Sequence, residues 1–231
     1  MATANNFLTP SEVEQVEAAI AAAEKQTSAE IVCVVATESG RYDRAEAVVG
    51  LFTGLLLLLL ANLLMPLLHR QLLPVGDWNE PSVGLAFVEQ AVAVLIGFVA
   101  GNVLASYWHG LRRLFVRTAQ MDAETERAAN FVFAARRLTS TRHAGGLLLY
   151  VSLFEHRVIV LADQGVMDAL GQGFLDQIRD TAVAKLRSGN ATGTLVESVQ
   201  QAAEQLATAL PHTPEDNDEL PNTFVRLHPR P

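Results

Sequence analysis

Two carboxylates are the residues in this 231-residue chain best suited to chemistry: Asp163 and Asp168. Asp163 follows the apolar run Arg157 to Ala162 and precedes Gln164-Gly165, so it stands at a strand end, where sites in open sheets collect. Asp168 could join it as an oxygen ligand for a hard cation. The competing reading makes Asp163 a turn former that accepts from its own backbone amides, as Asp does well. Calcium takes six to eight oxygens, and no acidic cluster of the D-x-D-x-D-G kind is present. Glu155 and His156 lie between two strand-like runs and read as exposed hairpin residues. The six histidines (His69, His109, His143, His156, His212, His228) show no ligand spacing. No P-loop, G-x-S-x-G or Cys/His signature occurs, so no catalytic residue is assigned. Cys33, the only cysteine, excludes an internal disulfide and sits in the run Ile31 to Val35, which reads as buried strand.

The elements that must position these residues divide sharply by composition. Half the residues are apolar, but two windows carry the excess and the remainder is ordinary globular sequence. Net charge is −8, with 25 acidic against 17 basic residues, which argues against a nucleic-acid partner because phosphate binding needs clustered cations. Met1 to Phe7 hold neither a cationic region nor an apolar core, so no cleavable signal peptide is expected. Val48 to Leu68 is 21 residues without charge, about 31 Å of helix against a hydrocarbon core of roughly 30 Å. Val83 to Trp108 is the second window, broken only by Glu89. The lipid bilayer is therefore a partner, through two spans at about 48–68 and 85–108.

Arg41 and Arg44 precede the first span and Arg112, Arg113 and Arg117 follow the second. The connecting loop, His69 to Ser82, has only Arg70. The positive-inside rule then places both termini in the cytoplasm, with Trp78 outside and Tyr107 and Trp108 at the inner boundary. Gly50 and Gly54 on the first span, and Ala93, Gly97, Gly101 and Ala105 on the second, form stripes of small residues that let helices approach closely in lipid. Gly50/Gly54 can meet Gly101/Ala105 within one hairpin; the alternative is that a stripe mediates homo-oligomerisation. Glu89 lies a few residues from the outer end, where it can reach the headgroups. Asn62 and Asn102 have no second ionisable partner, which leaves a proton relay unsupported.

Outside the spans, Thr9-Pro10-Ser11-Glu12 is a capping box opening a helix to about Lys25. A strand runs from Glu30 to about Ala36. Asp122 is expected to cap a helix to about Leu138. Gly145 to Ser152 and Arg157 to Ala162 read as an antiparallel pair, followed by a turn at Asp163-Gln164-Gly165. Helices follow over about Gly173 to Arg187 and, capped by Thr192 or Thr194, to about Leu210. The fold class expected is α/β, a small helix-covered β-sheet with an inserted two-helix transmembrane hairpin. Residues 1–45 hold the first helix and strand, 46–110 the hairpin, 111–210 the rest of the domain, and 211–231 a flexible acidic tail.

Several segments resemble the TPM-domain family: Thr9-Pro10-Ser11-Glu12, Thr27 to Val32, Thr141 to Ser152, Glu155 to Val158 and Ala162 to Val166. Asn217 to Pro221 is similar to the tails of bacterial membrane-anchored members. The resemblance implies a helix-covered sheet and, from some plant members, calcium binding and acid phosphatase activity. It also implies roles in photosystem repair or receptor modulation, and a LemA-type membrane protein as partner. Better-studied members are mostly lumenal, periplasmic or extracellular, whereas the charge rule places this domain in the cytoplasm. The expectation is thus a protein-binding, assembly or quality-control factor on the cytoplasmic face of a bacterial inner membrane, without a cofactor; the alternative is a metal-dependent phosphatase.

Overall fold

The computed structural model describes residues 3–72, 83–138, 145–212 and 224–231. Trp78 and most of the connecting loop, Thr141 to Ala144, and the acidic stretch 213–223 lie outside the described residues. The chain forms two units, residues 1–40 with 118–231, and residues 41–117.

The first unit is a four-stranded sheet. Its elements are α1 (Pro10–Glu24), β1 (Ile31–Ala36), then, after the second unit, α5 (Thr118–Ala135), β2 (Leu147–Ser152), β3 (Arg157–Ala162), α6 (Gln164–Leu186), α7 (Ala191–Ala209) and β4 (Val225–Leu227). The sheet order is β3-β2-β1-β4, with β1 parallel to β2 and β4, and β3 antiparallel to β2. Side chains alternate across β1: Ile31, Cys33 and Val35 pack with Val16, Ile20, Ile178 and Leu195 in one core. Val32, Val34 and Ala36 pack with Ala129, Val132 and Phe133 in the other. Helices therefore cover both faces, which is why β1 and β2 read as unbroken apolar runs.

Four expectations need correction. Beyond 223 the chain is not a solvated tail: Val225–Leu227 pairs with Val34–Ala36, and Phe224 is buried. Asp122 does not cap α5, which starts at Thr118; its carboxylate takes a 2.6 Å ion pair from Arg157 of β3 instead. Neither threonine caps α7. Asn190 does, accepting from the Gly193 amide, while Thr192 reaches across to Glu12 at 2.8 Å. The Asp163 turn is the N-cap of α6, whose first turns end at Gly171. There φ is +72°, a backbone conformation open to glycine at little steric cost, and the expected Gly173–Arg187 helix continues beyond it. The capping box at Thr9 and Glu12 is formed as read.

The second unit contains α2 (Asp43–Leu72), α3 (Val83–Tyr107) and α4 (His109–Leu114). The first helix extends through Leu72, so the connecting loop starts later than His69. A Cβ on Gly97 would lie 2.7 Å from the Gly54 Cα, and one on Gly101 would lie 2.9 Å from the Gly50 Cα. The helices thus run opposite ways in backbone contact, with Gly97 rather than Ala105 facing Gly54. Thr53 Oγ1 lies 2.7 Å from the Gly97 carbonyl oxygen, and Gln90 donates to Asn62 at 3.2 Å. Arg112 is buried. It pairs with Glu46 at 3.1 Å and stacks 5.9 Å over the Tyr42 ring, so this cation is neutralised within the hairpin.

Candidate functional site

Because β1, β2 and β4 are parallel, their carboxyl ends share one edge of the sheet, the edge at which open α/β sheets place ligands. Three segments converge there: Thr37–Ser39 after β1, Leu153–His156 after β2 and His228–Arg230 after β4. The Phe154 amide donates to the Thr37 carbonyl at 3.0 Å, the Thr37 amide to the Leu227 carbonyl at 3.0 Å, and the Glu38 amide to the Pro229 carbonyl at 3.2 Å. Arg230 Nε donates to Glu38 Oε1 at 2.8 Å, and Thr37 Oγ1 shares a hydrogen bond with His228 Nδ1 at 2.9 Å.

At the centre stands Glu155, fully buried rather than exposed on a hairpin. Its Oε1 accepts from the Ser39 amide at 2.9 Å and its Oε2 from the Ser152 hydroxyl. Ser39 Oγ donates its single proton to Ser152 Oγ at 2.8 Å. Ser39 Oγ and the Tyr150 hydroxyl are 2.9 Å apart, so Tyr150 must be the donor in that pair. Three hydroxyls therefore point their protons in sequence at one carboxylate. Burial is the main reason the Tyr150 phenol is pushed up to about 12, and the nearby Glu155 charge adds to this. The arrangement fixes the end of β1 just before the chain leaves for residues 41–117.

Sequence reasoning missed Glu155 because a four-residue connection between strands ordinarily turns outward. The legible signal is Ser152-Leu-Phe-Glu155, a hydroxyl and a carboxylate three apart, the spacing of a capping box. Here the turn, with His156 at φ +54°, folds the carboxylate back onto its own serine.

Asp163 and Asp168 sit elsewhere. Since β3 runs antiparallel, its end lies beside the start of β2, with the Asp163 amide donating to the Gly146 carbonyl at 2.8 Å. Asp163 therefore stands at the edge opposite the parallel carboxyl ends. Asp163 Oδ1 accepts from the Gln164 amide at 2.8 Å, and Asp168 Oδ1 from the Gln164 side chain at 2.6 Å. One oxygen is left over, Asp163 Oδ2, buried with no hydrogen-bond partner among the described residues. The calcium ion implied by the resemblance takes six to eight oxygens. Among the described residues no three His, Cys, Asp or Glu side chains converge, so these residues do not fit a calcium site.

Comparison with known proteins agrees with the architecture. No curated protein matches the chain. The fold is similar to the NMR structure of the BA42 protein from the psychrophilic bacterium Bizionia argentinensis. The TM-score is 0.55 at 19% identity, over 95% of this chain and 94% of that one. Residues 110–205 match the family model of the TPM domain.

Proposed function

We propose that the chain is a membrane-anchored TPM-domain protein, serving as a protein-binding, assembly or quality-control module on the cytoplasmic face of a bacterial inner membrane. One observation carries the anchoring. Asp43–Leu64 and Phe87–Tyr107 are long and apolar enough to cross a membrane, and only 17% and 11% of their apolar windows are buried. Leu51, Leu55, Leu59, Phe87, Leu95 and Val99 are exposed around the helix pair. A core helix of a soluble protein would hide such a surface, and monomers in water rarely show continuous apolar patches this large. Inside the pair, glycine contacts and a threonine hydroxyl supply the packing that lipid cannot drive hydrophobically.

Orientation rests on charge. With Arg112 committed to Glu46, the cations Arg41, Arg44, Arg113 and Arg117 still outnumber Arg70 and favour cytoplasmic termini. A reporter fused to the C-terminus is expected to be active inside the cell; activity outside overturns the orientation. Gentle detergent extraction is expected to recover a membrane partner, LemA-type being the first to test, in stoichiometric amount. The metal-dependent phosphatase reading draws on Asp163 Oδ2, which has no hydrogen-bond partner among the described residues. Phosphomonoester hydrolysis by the purified chain, lost on Asp163→Asn, would establish it against the binding module.

A further inference from the structure

The end strand β3 pairs along all six residues with β2, and no described strand pairs with its other side. The Asp163–Gly146 bond sets the phase of this ladder. Arg157, Ile159 and Leu161 direct their amides and carbonyls toward β2, so those of Val158, Val160 and Ala162 face outward. Exposed edges are usually short, charged or covered, because they template pairing with another chain. This one is the floor of a cleft of about 540 Å³ whose walls come from opposite layers. Asp122, Thr125 and Glu126 of α5 form one wall; Met167, Leu175 and Arg179 of α6 belong to the other.

We propose that this cleft takes an extended segment of a partner polypeptide as an added strand, pairing with Val158, Val160 and Ala162. This rests on the protein-binding reading above and names the chemistry of the partner. Apolar side chains on one face of the added strand meet Met167 and Leu175. On the other face a Lys or Arg meets Glu126, an exposed carboxylate with no ion pair among the described residues. The two arginines of the cleft are already engaged, Arg157 with Asp122 at 2.6 Å and Arg179 with Asp176 at 2.8 Å, so the unspent charge is negative. A second copy is the poorer occupant. Antiparallel pairing of two β3 edges about a two-fold axis sets Asp122 and Glu126 against their own images, like charge against like.

The test uses the full chain in lipid nanodiscs and an end-capped peptide of ten alternating valines and lysines. Saturable binding is expected, with amide exchange slowed at Val158, Val160 and Ala162. Glutamate in place of lysine should weaken binding about fivefold, and Glu126→Lys should reverse that preference. Val160→Pro removes one outward N–H at a position where an edge strand tolerates proline, and should lower affinity while the melting temperature reports an intact fold. No binding, protection elsewhere, an unchanged charge preference in Glu126→Lys, or dimerisation through this edge overturns the proposal. If Glu126→Lys and Val160→Pro still co-purify with a membrane partner, the cleft assignment fails and the binding reading stands. If the peptide binds as expected but no partner co-purifies with the native chain, the reverse holds.

Discussion

Replacing Glu155 tests whether the buried hydroxyl relay stabilises the sheet edge. In Glu155→Ala the Ser39 amide and the Ser152 hydroxyl both lose their acceptor in a fully buried position. Each orphaned donor costs about 1–3 kcal/mol, and relief from burying a carboxylate offsets part of that, for a net loss of about 2–4 kcal/mol. Glu155→Gln keeps a carbonyl for the Ser39 amide, but its amide end must donate to Ser152, whose proton then has no acceptor in the relay; about 1 kcal/mol is expected. For a folded unit of this size 1 kcal/mol shifts the melting temperature by about 2–4 °C. The Ala variant should therefore melt about 5–15 °C below the native chain and the Gln variant within about 4 °C of it. Circular dichroism in a mild detergent reads both transitions. If the two variants melt together, or if Ala is neutral, the relay is not what holds the end of β1.

Gly97→Ala would place a methyl 2.7 Å from the Gly54 Cα and 2.8 Å from the Thr53 carbonyl oxygen, both backbone atoms that cannot rotate away. A loss of about 1–3 kcal/mol is expected from overpacking, read by SDS-titrated unfolding with Gly110→Ala, which meets nothing within 4 Å, as control. Burial first, and the Glu24 charge second, push the Cys33 thiol up to about 12. It should resist thiol reagents at pH 8 until the chain is unfolded, and stability should fall as pH rises from 9 toward 12, where only the unfolded thiol ionises. The Thr9 backbone amide, then the Thr9 and Thr192 hydroxyls, hold the Glu12 carboxyl below its ordinary 4.5. Its contribution is present above that value and lost as pH falls through the lower folded pKa, so Glu12→Gln should flatten the acid limb of the stability curve.

Local elements were legible in the residues alone. Two long apolar windows specified α2 and α3, Thr9-Pro10-Ser11-Glu12 specified the start of α1, and apolar runs specified β1, β2 and β3 nearly to the residue. These follow from periodicity, capping and length, which a few neighbouring residues express. Strand direction and side-chain partnership came from long-range packing. That β3 runs against β2 sends Asp163 to the opposite edge from Glu155, and no property of Arg157–Ala162 alone records it. That Val225–Leu227 becomes a strand depends on the free edge of β1, nearly 190 residues earlier in the chain. Asn190 rather than a threonine caps α7, while Thr192 is engaged by Glu12 of another helix. The Glu155 site was illegible for the same reason: its hydroxyls and amide come from two segments far apart in the chain, the stretch after β1 and strand β2, joined only when the parallel strands align their ends.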